Sequence, residues 1–282
     1  MRFSTIRTSD GGTSAAVWRR DSWELVDAAD VGELVASDRM DEVLANPVGA
    51  RSEDVVSFAP LVLAPGKIIC CGHNYRTHIA EMGREAPQFP TLFVKFADTL
   101  VGASDSIDLH PSVSKLDWEA ELAVVVGSTL RDANRDEAVA GIAGYTVAND
   151  ISARDWQNRT PQWLQGKAFD STTPLGPILV TPDEFDPRSG ARITCSVNGE
   201  VQQRGSTDDL VFDPADLLSY ISTFTTLRPG DVVLTGTPSG VGAAASPPRF
   251  LKVGDVVETT IEGIGMLHNI VEHCTARERN MT

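Results

Sequence analysis

Short apolar and β-branched runs, separated by turn residues, recur along the chain from residue 67 onward. The clearest are Lys67–Cys71, Leu92–Phe96, Leu122–Val126, Ile142–Val147, Ile178–Val180, Val232–Thr235, Val256–Ile261 and Met266–Val271. Each has the length and composition of a β-strand. They do not alternate regularly with helical segments, which argues against a doubly wound parallel sheet. The pattern predicts an α+β fold that is mainly β.

Two local patterns in this region predict their structure more sharply. Asn198-Gly199 separates Ile193–Val197 from Glu200–Gln203, and Asn-Gly is typical of the type I′ turn of a β-hairpin because both residues accept a positive φ. Asp213-Pro214 precedes apolar residues at helical spacing. We therefore predict a helix that is capped by Asp213 and has proline at its first position.

The first 62 residues show a different pattern. They contain three strand-like stretches and two short helical ones: Arg2–Ile6, Ser14–Trp18, Ser22–Val26, Val31–Ala36 and Met40–Ala45. The proline- and glycine-containing stretch at 60–66 then interrupts the chain. We predict a small N-terminal domain at 1–62 and a larger domain at 63–282. The polar last ten residues, 273–282, are expected to fray.

Composition narrows the functional classes. The 282 residues include 39 acidic and 24 basic side chains, a formal charge of −15, which argues against binding to nucleic acids or anionic membranes. No apolar run approaches the roughly 18 residues of a membrane helix, and the first residues lack the apolar core of a secretory signal. The four cysteines form no CxxC pair. We expect a cytoplasmic protein with reduced cysteines.

Three carboxylates stand next to apolar runs. Glu119 and Glu121 are two residues apart at the start of one run, and Asp150 ends another. In a strand, residues two apart lie on the same face, and neighbouring carboxylates repel each other unless a cation lies between them. The pattern is compatible with a Mg²⁺ or Mn²⁺ site. The alternative is that both glutamates are solvated and Asp150 caps a turn.

Two further patterns could contribute catalytic groups. His78 and Glu81 are three apart, so one helical turn would let the carboxylate orient the imidazole as a general base; otherwise both are exposed loop residues. Lys167, in a loop after Gly166, could neutralise a substrate carboxylate or an enolate, or could simply be solvated. The remaining histidines, His73 among them, have no comparable partner and are interpreted as structural. The glycine-containing 234–242 segment lacks the ending of a phosphate loop.

Taken together and in order, these segments resemble the fumarylacetoacetate hydrolase superfamily. The matching motifs are NYxxHxxE at 74–81, PTLFVKFADTLVG at 90–102, DWEAELAVVVG at 117–127, GYTVANDISARDWQ at 144–157, GKAFDSTTPLGP at 166–177, VNGEVQQRGST at 197–207, PGDVVLTGTPSGVG at 229–242 and LKVGDVVETTIEGIGMLHN at 251–269. The resemblance covers about residues 65 to 272. The first 62 residues resemble the small variable domain of many bacterial members.

The resemblance implies a mixed β-roll, usually a homodimer, and assigns roles to individual residues. The assigned metal ligands are Glu119, Glu121 and Asp150, the assigned catalytic residues are His78, Glu81 and Lys167, and the assigned substrate contacts are Asn74, Tyr75, Lys167, Gln203 and Thr237. The implied cofactor is Mg²⁺ or Mn²⁺. His73 stands where many relatives carry another residue, and we expect it to affect specificity at most.

The resemblance implies a small anionic 2-oxo acid as substrate. The leading hypothesis is hydrolysis of a carbon–carbon bond in 2,4-dioxo acids (acylpyruvates such as fumarylpyruvate), in which His78 activates water and Lys167 helps to stabilise a pyruvate enolate. The alternative is isomerisation or decarboxylation of 2-hydroxy-dienedioates or oxaloacetate on the same site. A second alternative is a non-catalytic ligand-binding protein.

Overall fold

The computed structural model describes residues 1–51, 56–81 and 83–274. Its strands are β1 (Arg2–Arg7), β2 (Thr13–Arg19), β3 (Ser22–Leu25), β4 (Gly49–Arg51), β5 (Ile68–Gly72), β6 (Thr91–Lys95), β7 (Leu100–Val101), β8 (Ile107–Leu109), β9 (Leu116–Asp117), β10 (Ala120–Val126), β11 (Ile142–Asn149), β12 (Ser152–Ala153), β13 (Thr173–Val180), β14 (Arg192–Val197), β15 (Glu200–Ser206), β16 (Val232–Leu234), β17 (Val256–Ile261) and β18 (Gly265–His273). Its α-helices are α1 (Val31–Ala36), α2 (Met40–Ala45), α3 (Arg76–Glu81), α4 (Arg135–Ala140), α5 (Arg154–Gln157), α6 (Leu164–Lys167) and α7 (Pro214–Ser222).

The strands form one large sheet and two smaller ones. The large sheet has the order β4-β3-β2-β1-β13-β11-β10-β16-β5-β6, with β7 paired to β13, and a second sheet has the order β15-β14-β17-β18-β8. A short ladder joins β9 to β12. Most pairs are antiparallel, but β16 pairs with β5 in parallel. The predicted mainly β, α+β class is confirmed.

The strand β10, at the centre of the large sheet, is buried on both faces. Leu122, Val124 and Val126 enter one hydrophobic core, whereas the alternating Ala123 and Val125 enter the other. Alternation of side chains between the two faces is the ordinary geometry of a strand. A strand covered on both sides has to be continuously apolar, which explains the unbroken run in this segment.

The N-terminal strands continue the large sheet. β1 pairs with β13 in an antiparallel register that sets Phe3 opposite Leu179, and Phe3 packs in the same core cluster as Leu175 and Leu179. Residues 1–51 are thus connected to the body by backbone hydrogen bonds and by side-chain packing. The domain boundary at residue 62 stays a prediction.

The local sequence predictions match the elements closely. Asn198 and Gly199 have φ values of 54° and 78°, which confirms the predicted hairpin turn between β14 and β15. The side chain of Asp213 accepts a hydrogen bond from the backbone of Asp216 at the start of α7, which confirms the capped helix. At the C-terminus, His273 still pairs with Leu109, so fraying does not begin there, and residues 275–282 lie outside the described residues.

Helices in the described part of the chain are short. The longest is α7, with 9 residues, and none of them has the length and apolar composition that crossing a bilayer as a helix requires.

Candidate active site

A cavity of about 340 Å³ opens where the ends of the central strands meet α5 and α6. Its lining carries both signs of charge. The residues are Cys71, Gly72, His73, His78, Arg84, Phe93, Glu119, Glu121, Arg154, Gln157, Asn158, Trp163, Lys167, Thr237, Val241, Ala243 and Ala244. Small-molecule sites are usually concave cavities in which a few polar groups converge, and this cavity is more highly charged than most.

Strand register brings the three predicted carboxylates together. Asp117 pairs with Ser152 and Glu121 with Ala148 in neighbouring antiparallel ladders, and the backbone N–H of Asp150 donates to the carbonyl of Glu119 at 2.9 Å. Glu119 therefore lies opposite Asp150. The ligand atoms of Glu119, Glu121 and Asp150 all lie within 4.8 Å of one another, and all three residues are buried.

Glu121 is held by the loop that follows β16. The backbone N–H of Gly236 donates to its carboxylate at 2.6 Å. Gly236 has a φ of +103°, a conformation that only glycine adopts readily. Glycine at this position therefore lets the loop turn its amide toward Glu121.

Buried cations compensate part of the negative charge. The Lys167 ammonium donates to Glu119 at 2.8 Å and to Asp150 at 2.7 Å. Lys95 donates to the other oxygen of Asp150 at 2.7 Å, with both side chains fully buried. Arg154 pairs with Glu119 at 2.7 Å and with Asp117 at 2.8 Å.

The surrounding charges shift the pKa values of Glu119 and Glu121 in opposite directions. Burial alone would raise the pKa of Glu119, but the charges of Lys167 and Arg154 lower it to about 2. Burial and the carboxylates of Asp150 and Glu119 raise the pKa of Glu121 well above its usual range. Burial alone would lower the pKa of Lys167, but Asp150 and Glu119 raise it, so Lys167 stays protonated. Glu121 is therefore the carboxyl whose negative charge the buried cations leave uncompensated, and without a metal ion it tends to keep its proton.

The carboxylate cluster fits a divalent cation. Four buried carboxylates, of Asp117, Glu119, Glu121 and Asp150, stand against the three cations of Lys95, Arg154 and Lys167. Carboxylate oxygens suit hard cations such as Mg²⁺ and Mn²⁺. A cation between Glu119, Glu121 and Asp150 would relieve the repulsion that raises the pKa of Glu121.

The helix α3 carries the predicted dyad. His78 Nδ1 lies 2.9 Å from the Glu81 carboxylate, as the spacing of three residues predicts. Because a carboxylate accepts, His78 donates from Nδ1 and its Nε2 keeps the lone pair. His78 lines the cavity, while Glu81 lies behind it and is partly exposed. The dyad and the carboxylate cluster thus share one cavity.

Thr237 and Gln203 hold the loop beside the cavity. Thr237 lines it. Gln203, which is buried, donates from its amide nitrogen to Thr237 Oγ1 at 2.8 Å and accepts from the backbone N–H of Ala120 at 2.9 Å. Gln203 therefore positions Thr237 against β10, next to Glu121.

Asn74 and Tyr75 do not line the cavity, although the resemblance assigned them to substrate. The Asn74 amide donates to the backbone carbonyls of Phe212 and Thr235 and accepts from the Phe212 N–H. Tyr75 is fully buried. In this structure both residues anchor the segment before α3, and their assignment to substrate binding stays a prediction.

Some charged or polar side chains in and around the cavity were not singled out from the sequence. Lys95, Asp117 and Arg154 surround the carboxylates, and Arg84 and His73 line the cavity, although His73 was interpreted as structural. A lysine at the end of the apolar run in β6 was the available signal for Lys95. Arg154 and Arg84 gave no such signal because exposed arginines are common.

Comparison with known proteins finds a matching family model and similar curated proteins. Residues 67–272 match a family model described as fumarylacetoacetate (FAA) hydrolase C-terminal. The chain is 48% identical over 227 residues to human "Oxaloacetate tautomerase FAHD2A, mitochondrial", which covers 80% of this chain and 72% of the relative. It is 42% identical over 219 residues to "Oxaloacetate tautomerase YisK" of Bacillus subtilis, which covers 77% and 73%.

Solved structures give the same picture over nearly the whole chain. A fumarylacetoacetate hydrolase from Exiguobacterium antarcticum superposes with a TM-score of 0.87 at 35% identity and covers 97% of this chain and 99% of its own. A 2-hydroxyhepta-2,4-diene-1,7-dioate isomerase from Mycobacterium marinum superposes with a TM-score of 0.80 at 32% identity, covering 97% and 99%. The matched part of the chain thus extends well beyond residues 67–272 of the family model.

Proposed function

Because the chain belongs to the fumarylacetoacetate hydrolase family of enzymes, we propose that it is a metal-dependent tautomerase that interconverts the keto and enol forms of oxaloacetate. The observation that carries the proposal is the shared cavity, in which the carboxylate cluster, Lys167 and the His78–Glu81 dyad lie together. The names of the human and Bacillus relatives support oxaloacetate as substrate. They favour the isomerase alternative over the hydrolase that the sequence led us to expect first.

The residues that would bind the substrate head are Glu119, Glu121 and Asp150 with their cation, and Lys167. When bound, a divalent cation supplies a Lewis acid for the 2-oxo acid group. Lys167 is protonated and fully fixed by Glu119 and Asp150. It can stabilise the negative charge of an enolate oxygen without reorganising, which is the main requirement for this type of catalysis.

The proton is moved by His78. Because Glu81 accepts a hydrogen bond from Nδ1, the Nε2 lone pair of His78 is free to take a proton from C3 of the substrate. His78 can then return this proton to the oxygen on C2, which gives the enol. Cys71 also lines the cavity, but burial raises the pKa of its thiol to about 12, so it does not act as a thiolate base. His78 is therefore the base that the geometry supports best.

A second candidate is hydrolysis of an acylpyruvate. The observation that favours it is the dyad itself, because His78 oriented by Glu81 can deprotonate a water as well as a carbon acid. The similar Exiguobacterium structure is named a fumarylacetoacetate hydrolase.

The deciding experiment compares oxaloacetate with acylpyruvates on metal-stripped protein, with and without added Mg²⁺ or Mn²⁺. Tautomerisation predicts accelerated decay of the oxaloacetate enol absorbance above the uncatalysed rate, with no pyruvate released. Pyruvate release from oxaloacetate would indicate a decarboxylase. Cleavage of an acylpyruvate with ¹⁸O from labelled water in the new carboxylate would indicate the hydrolase and overturn the tautomerase proposal if oxaloacetate is untouched.

Homodimer formation and a cytoplasmic location remain predictions from the sequence. The human relative is named a mitochondrial protein, and that name applies to the relative.

A further inference from the structure

Three cationic side chains line the cavity, and one of them has no acidic partner. Lys167 and Arg154 are each bonded to buried carboxylates. Arg84 forms no ion pair within the described part of the chain, and its guanidinium Nη1 donates to His73 Nε2 at 3.3 Å. The charge of Arg84 is therefore available to a ligand.

His73 is held in place by aromatic packing. Its ring centroid lies 5.1 Å from that of Trp163, which lies 5.5 Å from that of Phe93. Trp163 packs so closely on Gly72 that a Cβ there would lie 2.4 Å from the indole. The close approach requires glycine at position 72, because any side chain there would collide with the Trp163 indole.

The His73 ring is suited to accept from Arg84. Burial lowers the pKa of His73, and the charge of Arg84 lowers it further, so the ring is neutral at pH 7. A neutral imidazole whose Nε2 accepts from arginine leaves the remaining guanidinium N–H groups free. His73 thus orients the guanidinium without neutralising it.

We propose that Arg84, positioned by His73, binds a second carboxylate of the substrate, so that the site selects dicarboxylic 2-oxo acids over monocarboxylic ones. This inference rests on the proposed function, because the carboxylate cluster and Lys167 bind the 2-oxo acid head. A guanidinium offers a carboxylate two parallel charge-assisted hydrogen bonds. Oxaloacetate carries a carboxylate at the end opposite its 2-oxo acid head.

The first test compares oxaloacetate with its 4-methyl ester, which keeps the enolisable head and lacks the distal charge. In Arg84→Gln we expect KM for oxaloacetate to rise about tenfold to a hundredfold, the range for losing a hydrogen bond to a charged group. We expect kcat to change little and the ester to be turned over as before. Arg192→Gln is the matched control, since Arg192 is exposed, pairs with Glu262 and does not line the cavity.

The second test measures binding without turnover. Isothermal titration of the Mg²⁺-loaded protein compares malate with 2-hydroxybutyrate, which share a 2-hydroxy acid head and differ in the distal carboxylate. We expect malate to bind the unsubstituted protein more tightly and to lose that advantage in Arg84→Gln. Equal affinities in the unsubstituted protein, or a preference that survives Arg84→Gln, would overturn the inference.

His73→Asn tests the positioning role. Asparagine tolerates the left-handed backbone at this position, where φ is 55°, but it lacks the ring that packs on Trp163. We expect a smaller rise in KM for oxaloacetate, about threefold to tenfold, with the ester unaffected. A fall in kcat for both substrates would instead indicate a structural role and would contradict the positioning of Arg84 by His73.

These outcomes separate the two proposals. If the unsubstituted protein turns over neither oxaloacetate nor its ester, the proposed function is wrong. If it turns over both and Arg84→Gln leaves their ratio of kcat/KM unchanged, the proposed function stands and the second-carboxylate subsite is wrong.

Discussion

Lys167 is proposed to act in catalysis, and the same side chain also has a structural role. It is fully buried and bonds both Glu119 and Asp150. In Lys167→Met we expect kcat to fall by about 10²–10³-fold, the usual cost of losing one preorganised stabilising group. We also expect a loss of stability on the order of 3–5 kcal/mol, since two buried carboxylates lose a partner. Steady-state kinetics and urea unfolding measure the two effects.

Lys67→Met is the matched control for that prediction. Lys67 bonds the buried Asp231 at 2.8 Å and does not line the cavity. The substitution Lys67→Met should lower the stability of the protein and leave kcat near its original value. Equal losses of kcat in the two variants would contradict the proposed catalytic role of Lys167.

Glu121 is the carboxyl whose negative charge would be left uncompensated by the buried lysines and arginine, and its pKa is raised well above its usual range for that reason. In Glu121→Gln the metal-free protein should keep its melting temperature or gain, because glutamine removes the cost of placing an ionisable carboxyl beside Glu119 and Asp150. Added Mg²⁺ or Mn²⁺ should no longer raise that temperature. In the unsubstituted protein, a cation at 100 times its Kd adds roughly 2.7 kcal/mol.

Thermal unfolding with and without the cation checks this, with Glu258→Gln as the control. Glu258 pairs with His268 away from the cavity. An unchanged metal response in Glu121→Gln would place the cation elsewhere.

At the scale of single residues, the sequence predicts the ligands better than their surroundings. The spacing of Glu119 and Glu121 fixes a shared face once a strand is assumed, and three residues of helix fix His78 beside Glu81. Lys95 joins Asp150 only because the folded molecule brings the ends of β6 and β11 together, although these strands are not neighbours in the sheet. No spacing along the chain encodes that contact.

Helices α4 and α7 are joined through their N-terminal residues. Arg135 pairs with Asp213, the residue that caps α7. Burial alone would raise the pKa of Asp213, but hydrogen bonding to Arg135 holds it below its usual value. The stability contributed by this pair is therefore present above the ordinary aspartate pKa of about 3.9. It is lost as the pH falls through the lower folded-state pKa.

The expected order of stability at pH 7 is the unsubstituted protein, then Asp213→Asn, then Asp213→Ala. Asparagine still caps the helix but loses the ion pair, while alanine loses both, at a cost of about 1–2 kcal/mol for the cap. Urea unfolding at pH 7 and pH 3 measures the differences. The gap between the unsubstituted protein and Asp213→Asn should shrink at pH 3, and a wider gap there would contradict the assignment.

At the scale of helices and strands, an element can be predicted from sequence when residues close to each other along the chain determine it. The hairpin at Asn198-Gly199 and the cap at Asp213 depend on neighbouring residues alone, and both are confirmed. The two-residue strands β9 and β12 escaped prediction because they exist only by pairing with each other. The helices α5 and α6, each of 4 residues, also escaped prediction because they depend on contacts made in the folded molecule.

For the whole molecule, the junction between β1 and β13 decides how the N-terminal residues behave. Phe3 is 1% exposed and packs in a core that residues of β10, β13 and β16 also form. Phe3→Ala should cost about 3–5 kcal/mol. Phe224→Ala, at a position 58% exposed, should stay within about 0.5 kcal/mol.

Unfolding followed by tryptophan fluorescence and by circular dichroism should give coincident transitions, because the residues before and after position 62 share one sheet and one core. The fluorescence covers both parts, because two tryptophans precede position 62 and three follow it: Trp18, Trp23, Trp118, Trp156 and Trp163. Two separated transitions would establish residues 1–62 as an independent domain, as the sequence suggested.

The order of the strands in the sheet is the feature that the sequence predicts least well. The parallel pair of β5 and β16 joins residues near 69 to residues near 233, and their apolar composition would suit many other neighbours. The fold class followed from the lengths of apolar runs. The neighbours of each strand required the folded molecule.

The bond between Lys95 and Asp150 has a consequence for the order of events during folding. Three strands separate β6 from β11 in the sheet, so this contact can close only after the sheet has curled. The cation site should therefore be absent from partly folded chains. We expect Mg²⁺ to leave the refolding rate unchanged and to slow unfolding, which stopped-flow measurements can resolve. The protein would then fold first and bind its cation afterwards. The supply of the ion would determine how long the folded protein lasts, and not how much of the protein folds.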